Sequence, residues 1–241
     1  MLKNTKGLYG IRLAASDGDI GHVKDFYFDD KDWVVRYLVA DTGSWLTGRL
    51  VLLSPHAFGR LDQDSGVLHM KLTREQIENS PSIETHRPVS RQFEIDYYRY
   101  YGWPGYWNGG AMWGLGEFPA SVAPMKAEVD ERFQLQRKDD KHLRSTHALT
   151  GYEIQTIDGP IGGVSGLMVD DRSWAVRDIV VDAGHWYSGR EVLIPTKKVV
   201  RIGFEESKIF MSLTKEDIKR AAADELATAA SGGHGAPGFW D

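Results

Sequence analysis

The chain has 241 residues, 41% of them apolar and 26% charged, with a net charge of −5 and no cysteine. This is a normal globular mixture with apolar surface for one large or two ordinary cores. The absence of cysteine excludes disulfides, thiolate nucleophiles, cysteine–zinc sites and iron–sulfur clusters, and the acidic balance argues against nucleic acid as a partner.

The first residues, MLKNTKGLYGIRLAASDG, lack the apolar run of a signal peptide. No stretch approaches the length of a membrane-spanning helix, so a soluble, cytoplasmic protein without a membrane span is expected.

From Gly10 onward the local signals are β. Asp17-Gly18 is a turn, and Ile20, Val23, Phe26 and Phe28 follow among charged residues. A polar turn DDKD (29–32) leads into WVVRYLVAD (33–41), whose apolar residues occupy both alternating sets. RLVLLSP (49–55) and GVLHMKL (66–72) read as further strands. Thr73 is an expected helix N-cap, with Gln76 completing a capping box.

Residues 81–147 carry different signals. The stretch 91–118 holds 10 of the 27 aromatic residues. Phe93, Tyr97, Tyr100 and Tyr101 share one face of a predicted helix, which Ser90 starts and Gly102 and Pro104 end. Beyond Gly105 the segment is too glycine-rich for regular structure. Three readings stand for these aromatics: they cover a barrel face or fill the gap between barrels, they form an exposed partner surface, or they are mobile. The candidate interaction residues here are Tyr97, Tyr100, Tyr101, Trp103, Tyr106 and Trp107. Residues 126–146, charged and mixed in sign, read as a solvated linker.

The β signals then return. Aligned at an offset of 141, Gly10–Glu78 and Gly151–Lys219 match without a gap, with 25 of 69 positions identical. DGDIGHV meets DGPIGGV, DDKDWVVR meets DDRSWAVR, and DTGSWLTGR meets DAGHWYSGR. Such self-similarity indicates a duplicated domain. WAVRDIVVD (174–182), REVLIPT (190–196) and SKIFMSL (207–213) repeat the strands. Thr214 repeats the N-cap, with Glu216 and Asp217 at the positive end of the helix dipole. AADELATAA continues that helix, and SGGHGAPGFWD is a flexible tail.

The order of these motifs resembles the PRC-barrel domains: a glycine, a DG–IG–V turn and strand, an aspartate-terminated hairpin, a glycine loop, a V–IP strand and a closing LT–E segment. Both copies, at 8–80 and 149–220, carry the pattern. The resemblance implies a mainly β fold of two small PRC-type β-barrels, with an aromatic connector and a C-terminal helix. The expected divisions are 1–80, 81–147, 148–230 and 231–241. The family includes the cytoplasmic part of the photosynthetic reaction-centre H subunit and the C-terminal half of the ribosome maturation factor RimM. The resemblance therefore implies docking onto a larger assembly, such as one of electron transport or photosynthesis, and no enzymatic activity. The alternative is a ligand-binding or enzymatic protein with a pocket between the barrels.

No catalytic constellation emerges. The nucleophile elbow, the phosphate-binding P-loop and the H-E-x-x-H metal motif are all absent. The histidines fall out of register between the copies: His22 meets Gly163, His69 meets Phe210 and His185 meets Ser44. Neither metal nor other cofactor is expected. Asp29-Asp30 and Asp170-Asp171 read as turn residues bonded to their own backbone.

The repeated phrase supplies the remaining candidates: Asp41, Trp45 and Arg49, with Asp182, Trp186 and Arg190. An acid, an indole and a guanidinium around a glycine loop suit a recognition patch. The competing reading has Asp ending a strand, Trp packing over the barrel and Arg paired to Asp. The partner is a protein, or a second copy of the chain.

Overall fold

The computed structural model describes residues 1–62, 65–81, 89, 91–114, 116–119, 143–184 and 189–230. Trp186, the cap proposed for Ser90, most of the charged linker and the tail lie outside the described residues. The chain is mainly β. It divides into two compact units, one of Met1, Gly7–Ser145 and Asp170–Ala175, the other of Leu2–Lys6, Thr146–Val169 and Val176 onward.

The first unit is built on a seven-stranded sheet. Its strands are β2 (Arg12–Ala15), β3 (Gly18–Asp29), β4 (Val34–Asp41), β5 (Leu50–Leu53), β6 (Phe58–Asp62), β7 (Val67–Met70) and β8 (Leu143–Ser145). The path runs β5-β4-β3-β2-β7-β6, and β8 pairs with β3. All neighbours are antiparallel except β2 and β7, which are parallel. Among the described residues no pairing joins the two ends of the path. Two register shifts interrupt the pairing of β3 with β4. Bulges of this kind bend a strand, so its two halves serve different neighbours, β2 and β8.

The second unit repeats this order. β9 (Glu153–Thr156), β10 (Gly159–Asp170), β11 (Val176–Asp182), β12 (Glu191–Pro195), β13 (Val199–Gly203) and β14 (Lys208–Met211) run β12-β11-β10-β9-β14-β13. The seventh strand is β1 (Leu2–Asn4), which pairs with β10. Thr5 follows it, buried, and its Oγ1 accepts from the N–H of Leu167 at 3.1 Å.

The short strands β1 and β8 are the pieces that sequence period does not reveal, because three residues cannot show alternation. Leu143–Ser145, the end of the expected linker, instead completes the first sheet.

The glycine of the IG–V motif has a definite role. Gly21 takes φ +125 and lies so close to β4 that an added Cβ would collide with the Asp41 carbonyl oxygen. Gly162 stands in the same relation to Asp182. Only glycine permits both the conformation and the approach.

Each sheet is followed by a helix, α1 (Arg74–Glu78) or α3 (Lys215–Ala230). The capping box at Thr73 is present: its Oγ1 accepts from Gln76 N–H, and the Gln76 side chain accepts from Thr73 N–H. At Thr214 the reciprocal partner is Asp217. The turn aspartates reach the same helices. Asp17 accepts from Arg74 N–H at 2.8 Å, and Asp158 from Lys215 N–H at 2.9 Å. Each DG turn is thus also a second cap on the helix that closes its own sheet.

Helix α2 (Arg91–Tyr101) crosses the first unit. It ends in a Schellman motif, with Gly102 at φ +69. Gly102 N–H donates to Arg99 O, and Trp103 N–H to Tyr98 O. The buried face of α2 differs from the expected one. It comprises Glu94, Ile95, Tyr97 and Tyr98, whereas Tyr100 is 43% exposed. Glu94, being charged, falls outside any apolar period, yet it is fully buried.

Every residue from Val34 to Ala40 is buried. Arg36 shows why. It is buried and covered by the aromatic segment, whereas its aligned counterpart Arg177 is exposed. Asp170–Ala175 also packs into the first unit. The Trp174 ring meets Phe58 edge-on at 4.6 Å, and Val35 N–H donates to Trp174 O.

Candidate functional site

Two groups of candidates that lie far apart in sequence meet around α1. Asp41 ends β4, and its Oδ1 accepts from Gly43 N–H at 2.9 Å, which opens the glycine loop. The loop returns the chain to Arg49. Its guanidinium donates to the carbonyls of Glu78 (3.0 Å) and Ser80 (2.9 Å), at the C-terminal end of α1. The expected Asp41–Arg49 ion pair does not form. The planar fork instead takes carbonyl oxygens that the helix leaves without intrahelical donors, at the negative end of its dipole.

Tyr100 and Tyr101 bind the same helix, donating to Gln76 O at 3.0 and 3.4 Å. Trp45 stands half-exposed, with the Arg74 guanidinium 4.6 Å from its ring centroid. The result is a face on which Trp45, Arg49, Arg74, Tyr100 and Tyr101 are held around one short helix. Arg49, Tyr100 and Tyr101 are tied to backbone carbonyls, and Trp45 and Tyr100 keep accessible surface.

Behind this face lies an aromatic interior. Tyr97, Trp103 and Tyr106 are buried, with Tyr37, Tyr98, His56 and Trp113. Tyr97 Oη donates to Leu52 O and accepts from Ser54 N–H, both at 3.0 Å. It thereby satisfies two backbone groups where β5 ends. Tyr98 Oη lies 3.3 Å from Ser54 Oγ. Arg36 donates to Met112 O at 2.6 Å and pairs with Asp32 at 3.0 Å. Its guanidinium lies 3.9 Å from the centroid of the Tyr106 ring. Trp113 Nε1 donates to Ser173 O at 2.7 Å.

Glu94 is fully buried at the centre. Its Oε1 accepts from Tyr106 (2.7 Å) and Tyr37 (3.1 Å), and Arg91 Nη1 lies 3.0 Å from Oε2. Burial holds the phenols of Tyr37 and Tyr106 well above their usual pKa, and the Glu94 charge adds to it.

Six candidates thus separate by position. Tyr97, Trp103 and Tyr106 are interior, whereas Tyr100, Tyr101 and Trp107 keep accessible surface. Sequence reasoning missed Glu94, Arg74 and Arg36. A charged residue on the apolar side of an amphipathic helix is the signal that points to Glu94.

In the second unit Asp182 repeats the turn of Asp41, accepting from Gly184 N–H at 2.9 Å. Arg190 is exposed. The two copies of the phrase therefore share the turn while their arginines meet different surroundings.

A bent sheet closed by a helix, with that helix capped from the sheet's own first turn, defines a class of small β domain. The PRC-barrel domain model matches residues 13–77, which span β2 to α1, so this part of the chain is a PRC-barrel domain. An uncharacterized protein of Deinococcus radiodurans is 38% identical over 77 residues, covering 32% of this chain and 27% of the relative. The chain thus spans about a quarter of the length of the curated relative it matches. The matched domain stops short of α2, so the aromatic interior is completed by residues outside it. Among the described residues no helix is long and apolar enough to cross a membrane.

Proposed function

We propose that the chain is a non-enzymatic interaction module that docks onto a larger protein assembly through the face around α1. One observation carries this reading: Trp45 presents an accessible ring against the Arg74 guanidinium, and Tyr100 an exposed ring whose hydroxyl is already held by Gln76 O. Aromatic and arginine side chains dominate the energetics of protein interfaces, and prior fixing lowers the entropy cost of binding.

In its finer form the proposal names an electron-transport assembly, such as a photosynthetic reaction centre, as the partner and the cytoplasm as the place. The family resemblance is its support. The test is capture from an extract of the native cell on the immobilised intact protein. A partner retained by the wild type and released by Trp45→Ala with Tyr100→Ala, while Val200→Ala still retains it, supports the face. A folded double variant that keeps every partner removes it. Light scattering on the same variants separates a second copy of the chain from a foreign protein.

A further inference from the structure

The Glu94 cluster is a poor device for stability alone. Burying a carboxylate is costly, and apolar side chains of similar volume serve a core as well or better. Here the carboxylate accepts hydrogen bonds from two phenols, and the phenols sit in a continuous network of rings. Tyr106 lies 5.0 Å from the half-exposed Trp107 and 5.9 Å from Tyr98. From Tyr98 the rings continue to Trp103 (6.3 Å), then Tyr101 (4.5 Å) and Tyr100 (4.8 Å), which is exposed.

Tyrosine and tryptophan are the side chains most readily oxidised by one electron without breaking a bond to carbon. A phenol that loses an electron becomes a strong acid, so the step is favourable only with a base in hydrogen-bond contact. Glu94 Oε1, 2.7 Å from Tyr106 Oη, is such a base.

We propose that Tyr106 is a site of reversible one-electron oxidation, with Glu94 as its proton acceptor and the neighbouring rings as the route to the surface. A radical oxidant takes one electron from Trp107 and leaves as its anion. The Trp107 radical cation then takes an electron from Tyr106, whose proton passes to Glu94. The products are neutral Trp107, a neutral Tyr106 phenoxyl radical and a neutral Glu94 carboxylic acid. The step cancels the positive charge on Trp107 against the negative charge on Glu94, and the Arg91 guanidinium, 3.0 Å from Glu94 Oε2, is the charge that remains beside the new carboxylic acid. A one-electron reductant such as ascorbate reverses the sequence, returning the electron to Tyr106 and the proton from Glu94.

The test is pulse radiolysis of the intact chain with azidyl radicals. A tryptophanyl signal should decay into a phenoxyl signal at a rate independent of protein concentration. Tyr106→Phe should lose the long-lived phenoxyl, and Tyr100→Phe and Tyr37→Phe should keep it. An unchanged phenoxyl yield and lifetime in Tyr106→Phe would overturn the proposal. Should that variant not fold, rapid freezing of the oxidised wild type decides. A tyrosyl radical whose electron-spin relaxation ignores an added water-soluble paramagnetic ion supports a buried site, and one that responds strongly overturns it.

Discussion

The Asp17 carboxylate accepts a hydrogen bond from the backbone N–H of Arg74, 57 residues further on, at 2.8 Å. The link ties the first hairpin turn of the first sheet to the helix that closes it, and Asp158 makes the same link to Lys215. Donation from Lys215 N–H is the chief reason that the Asp158 carboxyl is held below the usual carboxylate range, and Thr214 does the same for Asp217. A depressed folded-state pKa stabilises the fold above the unfolded value, and this contribution is lost as pH falls through the folded one. Asp158→Ala should therefore lower Tm at neutral pH. Its deficit relative to wild type should shrink once pH falls below the ordinary value of 3.8. Thermal scans across that range provide the check.

Tyr97 is the interior residue whose hydroxyl matters most. Tyr97→Phe preserves the ring but strips Leu52 O and Ser54 N–H of a buried partner, so a loss of about 2–4 kcal/mol is expected. Tyr100→Phe, on the accessible side of the same helix, should stay within about 0.5 kcal/mol of wild type. Denaturant unfolding of both variants tests the contrast.

Arg49 acts on α1 through geometry as well as charge. Arg49→Ala should cost about 1 kcal/mol, and Arg49→Lys should recover little of it, because one ammonium cannot reproduce a fork spanning two carbonyls. Asp41→Asn should be nearly neutral, since an asparagine oxygen accepts from Gly43 N–H equally well. A large loss in Asp41→Asn would instead indicate that Asp41 and Arg49 depend on each other.

The phenols of Tyr37, Tyr97, Tyr98 and Tyr106 are all pushed upward, chiefly by burial. A raised folded-state pKa contributes stability in full below the unfolded value of 10.0, and this is lost as pH rises toward the folded one. Above that value, tyrosinate absorbance and loss of near-ultraviolet circular dichroism should rise together in one cooperative step. Ionisation of all ten tyrosines ahead of any structural change would show that the rings are reached by solvent in the folded state.

Much of this architecture was legible in the sequence, because alternation and turn chemistry act locally. β3, β4, α1 and α2 follow from residues that neighbour each other along the chain. The reading stopped where partners are distant. β1 and β8 are three-residue strands that exist only through β10 and β3. The second role of Asp17 could not be read from a turn motif, since its partner lies 57 positions away. The same limit explains the candidate site. Trp45 and Tyr100 belonged to separate hypotheses until α1 brought them to one face, and Glu94 was concealed by its charge. The Arg36–Arg177 alignment concealed a difference too, because the covering segment occurs once in the chain.

The central claim is that the aromatic segment is part of the interior of the first unit, which leaves the face around α1 for a partner. Amide hydrogen exchange on the free, intact chain tests this most directly. Residues 95–103 should exchange as slowly as β4, in one cooperative opening that includes the Trp113 indole. Exchange of 95–103 at the rate of an unstructured peptide, with β4 still protected, would contradict the account.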